Sequence, residues 1–148
     1  MKKELVKDWM TPNPITVTPE TNLPEAHKIM KDNRIRRLPV VQDGQLVGIV
    51  TRGDIRGAEP SEATSLSIFE LHYLVGKLTL DRIMTKNPVT VSPNTTIQDA
   101  ANLMLNRKIS GLPVVEDDRL MGIITESDIF RLVVKMWDKE DQKALEVT

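Results

Sequence analysis

Residues 6 to 56 occur twice. The stretch from Met10-Thr-Pro-Asn-Pro-Ile-Thr-Val-Thr-Pro to Gly48-Ile-Val-Thr-Arg-Gly-Asp54-Ile returns without insertion or deletion as Met84-Thr-Lys-Asn-Pro-Val-Thr-Val-Ser-Pro to Gly122-Ile-Ile-Thr-Glu-Ser-Asp128-Ile. Roughly half of the matched positions are identical, and most of the others exchange one apolar residue for another, as in a tandem duplication of one supersecondary unit. Such a chain is constrained to a doubled fold, in which two copies bury related apolar faces and present related clefts.

Composition narrows the function classes. At 148 residues and 40% hydrophobic, the chain is long enough for one ordinary core or two small half-cores. Twenty basic against twenty-one acidic residues leave a formal charge of −1 and no electrostatic footprint for nucleic acid. The absence of cysteine removes disulfides, thiolate metal sites and a cysteine nucleophile. No apolar run approaches the ~18 residues of a membrane span, and the first residues lack the apolar stretch of a signal peptide. The expectation is a cytoplasmic protein with neither a nucleic-acid nor a membrane partner.

Both copies read in the same order. A short apolar segment (Val6, Trp9, Met10; Leu80, Ile83, Met84) leads through Asn-Pro into alternating residues, Ile15-Thr-Val17-Thr and Val89-Thr-Val91-Ser, which predict a brief strand stopped by Pro19 or Pro93. Leu23, Ala26, His27 and Met30, like Ile97, Ala100, Ala101 and Met104, recur at helical spacing, with Thr21 and Thr95 as cap candidates. Apolar runs then flank Asp43-Gly44, a strong hairpin signal, and Asp117-Asp118, where Asp118 lacks glycine's freedom at positive φ. After Thr51 and Thr125 the spacing is helical again. The expected boundaries are a first motif at 6–58, a linker containing a helix at 59–79, a second motif at 80–137 and a charged tail at 138–148 that is an exposed helix end or disordered. Leu66, Phe69, Leu71, Leu74 and Val75 give the linker helix an apolar surface, to be packed on the repeats or on a second chain.

The most chemical feature is Thr51-x-x-Asp54, repeated as Thr125-x-x-Asp128. An ionised carboxylate accepts two hydrogen bonds at once, which suits the vicinal hydroxyls of a ribose, and a helix start favours an anion nearby. The same spacing is also a capping box, in which both residues satisfy backbone donors, and the two roles can coexist. Arg36, Arg37 and Arg52 add positive charge where the second copy has Ser110, Gly111 and Glu126, so the two copies are unequal toward phosphate. Arg34 reads as part of a solvated strip. His27 and His72 have no metal-ligand spacing and read as packing or surface residues. Trp9 and Trp137 read as core or interface anchors.

On Leu38-Pro-Val-Val with Gly48-Ile-Val-Thr-x-x-Asp54, and Leu112-Pro-Val-Val with Gly122-Ile-Ile-Thr-x-x-Asp128, the chain resembles a tandem pair of CBS domains, the cystathionine-β-synthase-type repeats whose pairs are called Bateman modules. Its length and linker also resemble the acetoin-utilisation-type CBS proteins of prokaryotes. The resemblance implies an α/β (α+β) fold of two pseudo-twofold-related β-α-β-β-α units packed sheet to sheet, which often dimerises. It also implies two composite clefts for an adenosyl ligand: AMP, ADP, ATP or S-adenosylmethionine. One cleft would join Thr51, Gly53 and Asp54 to Met84, Val89, Ile109, Ser110 and Leu112. The other would join Thr125, Ser127 and Asp128 to Met10, Ile15, Ile35, Arg36 and Leu38. In the family the residues just before Leu-Pro lie near the phosphates, which makes Arg36 and Arg37 candidate phosphate donors.

Two functional readings follow, with a third class set aside. The first is a non-catalytic regulatory module that senses an adenine nucleotide, or S-adenosylmethionine, acts as a homodimer and passes a shape change to a regulated protein. The second is an oligomerisation or docking element whose clefts are empty. An enzyme is disfavoured, because no Ser-His-Asp arrangement, metal cluster or Walker-type loop can be assembled, and no catalytic cofactor is expected.

Overall fold

Alternating apolar residues around the two Asp-containing turns fold into two antiparallel hairpins, and everything else in each repeat is placed by them. The computed structural model describes residues 3–59 and 67–147, with the backbone alone for 68, 69, 71, 72 and 147. Among the described residues the elements are α1 (Val6–Trp9), β1 (Thr11–Pro12), α2 (Leu23–Asn33), β2 (Arg37–Gln42), β3 (Gln45–Thr51), α3 (Arg52–Ala58), α4 (Ile68–Lys77), a 3-10 turn (Leu80–Arg82), β4 (Thr85–Lys86), α5 (Ile97–Arg107), β5 (Gly111–Glu116), β6 (Arg119–Thr125) and α6 (Glu126–Val147). This is the mixed α/β class, with antiparallel strand pairs, that the sequence predicts.

The chain divides into two compact units, Pro14–Pro88 and Met1–Asn13 with Val89–Thr148. Their border is not that of the sequence repeats. β4, which opens the second copy, pairs with β3 of the first at Gly48↔Lys86 and Ile49↔Thr85. β1, which opens the first copy, pairs with β6 of the second at Thr11↔Ile123 and Pro12↔Gly122. Glycine makes the close approach possible. A Cβ on Gly48 would lie 2.5 Å from the Met84 sulfur and 3.0 Å from the Thr85 carbonyl oxygen, and one on Gly122 would lie 2.6 Å from the Met10 sulfur and 2.7 Å from the Thr11 carbonyl oxygen. No other residue fits there without moving backbone.

In the Pro14–Pro88 unit, Leu38, Val40 and Val50 face a core completed by Leu23, Ala26 and Met30 of α2, Ile55 of α3 and Leu80. The second core repeats this with Leu112, Val114, Ile124, Ile97, Ala100, Met104 and Leu132, and adds Val6 of α1. The linker helix α4 is capped by Ser67, whose hydroxyl accepts from the Glu70 N–H at 3.2 Å while the Glu70 carboxylate accepts from the Ser67 N–H at 3.4 Å. It packs Val75 on the first core and leaves Tyr73 and Leu74 exposed. Leu66 and the side chains of Phe69, Leu71 and His72, named with this helix in the sequence, lie outside the described residues.

Several local expectations are corrected. The strands expected at 15–18 and 89–92 shrink to single parallel bridges, Val17↔Val40 and Val91↔Val114. Prolines at 14 and 19, and at 88 and 93, leave little room for a ladder on either side of each bridge. The helix caps are Asn22 and Thr96, one residue after the expected threonines, and they accept from the N–H groups of Glu25 at 2.9 Å and Asp99 at 3.1 Å. Thr21 and Thr95 instead accept from the N–H groups of Thr18 and Ser92 and close the preceding turns. His27, on the α2 stripe by spacing, is exposed and pairs with Glu59 at 3.3 Å. Trp9 is half-buried against its core, whereas Trp137 is 61% exposed. The charged tail continues α6 through Val147, and residues 138–146 of it are exposed.

The two hairpin turns adopt the same conformation despite their different residues. Asp43 and Gly44 lie at φ 53° and 78°, Asp117 and Asp118 at φ 50° and 64°. Both central residues are left-handed, as a two-residue turn of the primed kind requires. Asp118 bears the steric cost that Gly44 does not, about 1–2 kcal/mol for a side chain in that region, partly offset because glycine has more freedom to lose on folding. Asp118→Gly is therefore expected to stabilise the protein by roughly 0.5–1 kcal/mol, raising the thermal midpoint by a few degrees. Differential scanning calorimetry checks this, and a lower midpoint would contradict it.

Candidate functional site

The strand-to-helix corner keeps the same Thr-x-x-Asp spacing in both copies and is built unequally in structure. In the Pro14–Pro88 unit, Thr51 ends β3 and caps α3. Its hydroxyl accepts from the Asp54 N–H at 3.1 Å, and its own N–H donates to Asp54 Oδ2 at 2.9 Å. The capping box is complete, and it uses only one carboxylate oxygen. Asp54 is half-buried, and among the described residues its Oδ1 has no hydrogen-bond partner. A locked carboxylate with one free acceptor oxygen is a preorganised hydroxyl receptor.

The other predicted residues of this unit surround that corner to different degrees. Arg37 stands opposite Thr51 in the strand ladder, and the Arg52 N–H donates to the Arg36 carbonyl at 2.8 Å. Arg36 is exposed, Arg37 and Ile35 are half-buried, and Ile15 is 41% exposed. Gly53 is exposed; a Cβ there would touch only the Thr51 hydroxyl at 3.6 Å, which explains why Ser127 is tolerated at the matching place. Met84 lies over Gly48, on the strand that carries Thr51. Leu38 is fully buried and belongs to the core.

In the second unit the same corner is closed. Asp128 is 1% exposed. Its Oδ2 accepts from the Thr125 N–H at 2.8 Å and from the Thr125 hydroxyl at 3.3 Å, and its Oδ1 is held by the Arg131 guanidinium. Both carboxylate oxygens are engaged. Arg131 was not singled out in the sequence, although a cation three residues after an acid on a helix is a recognisable pair. Its counterpart in the first copy is Gly57, whose surroundings are open. Ser127 is exposed, Met10, Val89, Ile109 and Ser110 are half-buried, and Leu112, like Leu38, is core. Thus Thr51, Gly53, Asp54, Met84, Ile15, Ile35, Arg36, Arg37 and Leu38 belong to one unit. Thr125, Ser127, Asp128, Met10, Val89, Ile109, Ser110 and Leu112 belong to the other.

A strand–helix–hairpin–helix unit, doubled, with a threonine–aspartate corner in each copy, defines a tandem repeat module of mixed α/β class. The CBS domain model matches residues 6–61 and 80–135, and the chain belongs to that family. A CBS domain-containing protein of Dictyostelium discoideum is 37% identical over 142 residues, which cover 90% of this chain and 94% of that one. Inosine-5'-monophosphate dehydrogenase of Korarchaeum cryptofilum is 41% identical over 117 residues, or 78% of this chain, which spans only 21% of the enzyme's length. Among solved structures, the CBS domain pair of protein MJ0100 in complex with 5'-methylthioadenosine and S-adenosyl-L-methionine superposes with a TM-score of 0.75 at 34% identity, covering 91% of this chain and 99% of that one. CBSX2 in complex with AMP gives 0.76 at 31%, covering 90% and 98%. A candidate acetoin utilization protein (AcuB) from Vibrio cholerae gives 0.78 at 29%, covering 95% and 98%. Among the described residues, no helix is long and apolar enough to cross a membrane.

Proposed function

We propose that this CBS pair is a non-catalytic, cytoplasmic regulatory module that senses an adenosyl ligand, with an adenine nucleotide as the first choice and S-adenosylmethionine as the second, and passes the change to a partner protein. The observation that carries the reading is the Asp54 carboxylate, fixed by its capping box through one oxygen and open at the other. In this reading the free oxygen takes a ribose hydroxyl. Met84 and Ile35 offer apolar contact to the base, and Arg36 and Arg37 stand near Thr51 for phosphate. Support comes from relatives of the same fold, which hold AMP in one case and methylthioadenosine with S-adenosylmethionine in another. The exposed guanidinium of Arg36 favours the anionic nucleotide over the cationic sulfonium.

The Asp128 corner is the weaker half of the reading. A ribose there must displace the Arg131 guanidinium or share the carboxylate with it. Asp54→Ala is expected to lower AMP affinity roughly ten- to hundredfold, the equivalent of losing a charge-assisted hydrogen bond of about 1.5–3 kcal/mol. Asp128→Ala should cost less. Isothermal titration calorimetry with AMP, ATP and S-adenosylmethionine measures both, at a temperature below each variant's midpoint, because the lost cap itself costs about 0.5–2 kcal/mol. Unchanged binding in Asp54→Ala would refute the ribose assignment.

A homodimer belongs to the same proposal. Phe130, Val134 and Trp137 recur at helical spacing along α6 and are 62%, 51% and 61% exposed. Such a stripe supports a second chain as its cover, and it equally favours the docking-element reading. Multi-angle light scattering at micromolar concentration is expected to give twice the chain mass, reduced toward the monomer by Phe130→Glu. A monomeric wild type would overturn the proposal.

A further inference from the structure

All the sulfur of this chain is in methionine: there are seven methionines and no cysteine. Any sulfur-based response to an oxidant therefore runs through a thioether. We propose that Met10 and Met84 are oxidation sites for hydrogen peroxide and small organic hydroperoxides, and that their conversion to the sulfoxide releases β1 and β4 from the hairpins they pair with.

Beyond Met1, the methionines fall into pairs related by the repeat or by their exposure. Met30 and Met104 are 3% and 5% exposed, inside the two cores. Met121 and Met136 lie at the surface, 38% and 43% exposed. Met10 and Met84 stand between these extremes, partly open to solvent and packed against a core.

Their seats are duplicated. The Met10 N–H donates to the Val6 carbonyl and the Met84 N–H to the Leu80 carbonyl, both at 2.8 Å, so a helical turn fixes each backbone. The side chain then lies on the glycine of the facing strand. A Cβ on Gly48 would stand 2.5 Å from the Met84 sulfur and 3.0 Å from its Cγ, and one on Gly122 would stand 2.6 Å and 3.1 Å from the same atoms of Met10. Each sulfur thus fills the room that glycine leaves. The very next residue begins the paired strand, Thr11–Pro12 or Thr85–Lys86. So short a ladder does not hold a strand by itself, and the packed methionine is what keeps it on its partner.

In the reaction a thioether lone pair attacks one oxygen of the hydroperoxide. The O–O bond breaks, the S–O bond forms, and sulfur is oxidised by two electrons; the rest of the peroxide leaves as water or an alcohol and takes the proton with it. The product is a polar, chiral sulfoxide. On the glycine side there is no room for its oxygen, and on the core side the neighbours are apolar side chains that supply no donor. The side chain must swing into solvent, and the strand loses its anchor. Met121 and Met136 are already exposed, so their oxidation carries no such consequence. Because β3 ends at Thr51, release of β4 disturbs the strand that carries the cap of α3.

Graded hydrogen peroxide followed by peptide-resolved mass spectrometry, with thermal unfolding and hydrogen exchange on the same samples, tests this. Met10 and Met84 are expected to oxidise after Met121 and Met136 and before Met30 and Met104. As they do, the thermal midpoint should fall by at least about 5 °C, and exchange in peptides covering Gly48–Ile49 and Thr85–Lys86 should quicken at least roughly tenfold. In Met10→Leu/Met84→Leu, a nearly volume-conserving swap, the same dose should oxidise Met121 and Met136 and leave the midpoint within about 1 °C of the untreated variant. The exchange measurement needs the wild type alone, so it decides the matter even if the double variant folds poorly. Wild type in which Met10 and Met84 stay reduced while Met30 or Met104 oxidises, unchanged exchange at the β3–β4 pairing once Met84 is a sulfoxide, or a folded double variant whose midpoint falls as far as that of the wild type would each overturn the proposal.

Discussion

The close approach of an opening segment to a glycine is the contact on which the rest of each unit depends. Gly48 accepts Met84 and the β4 backbone, and Gly122 accepts Met10 and the β1 backbone, at distances that a Cβ would forbid. Because the pairing strands come from the other copy, neither repeat completes its own sheet. The chain is therefore a tandem duplication by sequence and an exchange of segments by structure. The exchange also brings a methionine from the second copy into the unit that holds Thr51 and Asp54, which no reading confined to one repeat would place there.

The capping box at Thr51 shows how one interaction serves both stability and chemistry. Thr51 and Asp54 satisfy each other's backbone donors, which secures the start of α3. The same bonds orient the carboxylate, so its remaining oxygen need not be ordered when a ligand arrives. In the second copy Arg131 consumes that freedom. Its pair with a carboxylate that is almost fully buried is worth more than an exposed pair, because breaking it leaves Asp128 short of a partner. Two corners that read alike thus differ in what they offer.

Much of this was legible in the residues, for physical reasons that can be stated. Thr51-x-x-Asp54 announced its capping box because the motif is local, whereas in the second copy the Thr125 N–H and hydroxyl both donate to Asp128. The hairpins announced themselves because a two-residue turn between apolar runs has few alternatives. Leu23, Ala26 and Met30 of the expected helix stripe are buried, while His27, read as a packing or surface residue, is exposed and its ring turns outward to Glu59. What escaped was non-local or depended on a single neighbour. The β1 and β4 pairings involve two residues each, too short for any period to show. Arg131 was hidden by the repeat itself, since attention to matched positions passes over a residue whose counterpart is Gly57.

The claim that the two corners are chemically unequal meets its most direct test in Arg131→Ala, titrated calorimetrically with AMP beside the wild type. Removing the guanidinium should leave the Asp54 binding event unchanged and strengthen a second event at Asp128 by roughly tenfold, so that stoichiometry rises toward two ligands per chain at concentrations where the wild type binds one. If Arg131→Ala binds AMP with the wild-type stoichiometry and affinities, or loses binding, Arg131 does not close the second corner and the asymmetry must lie elsewhere.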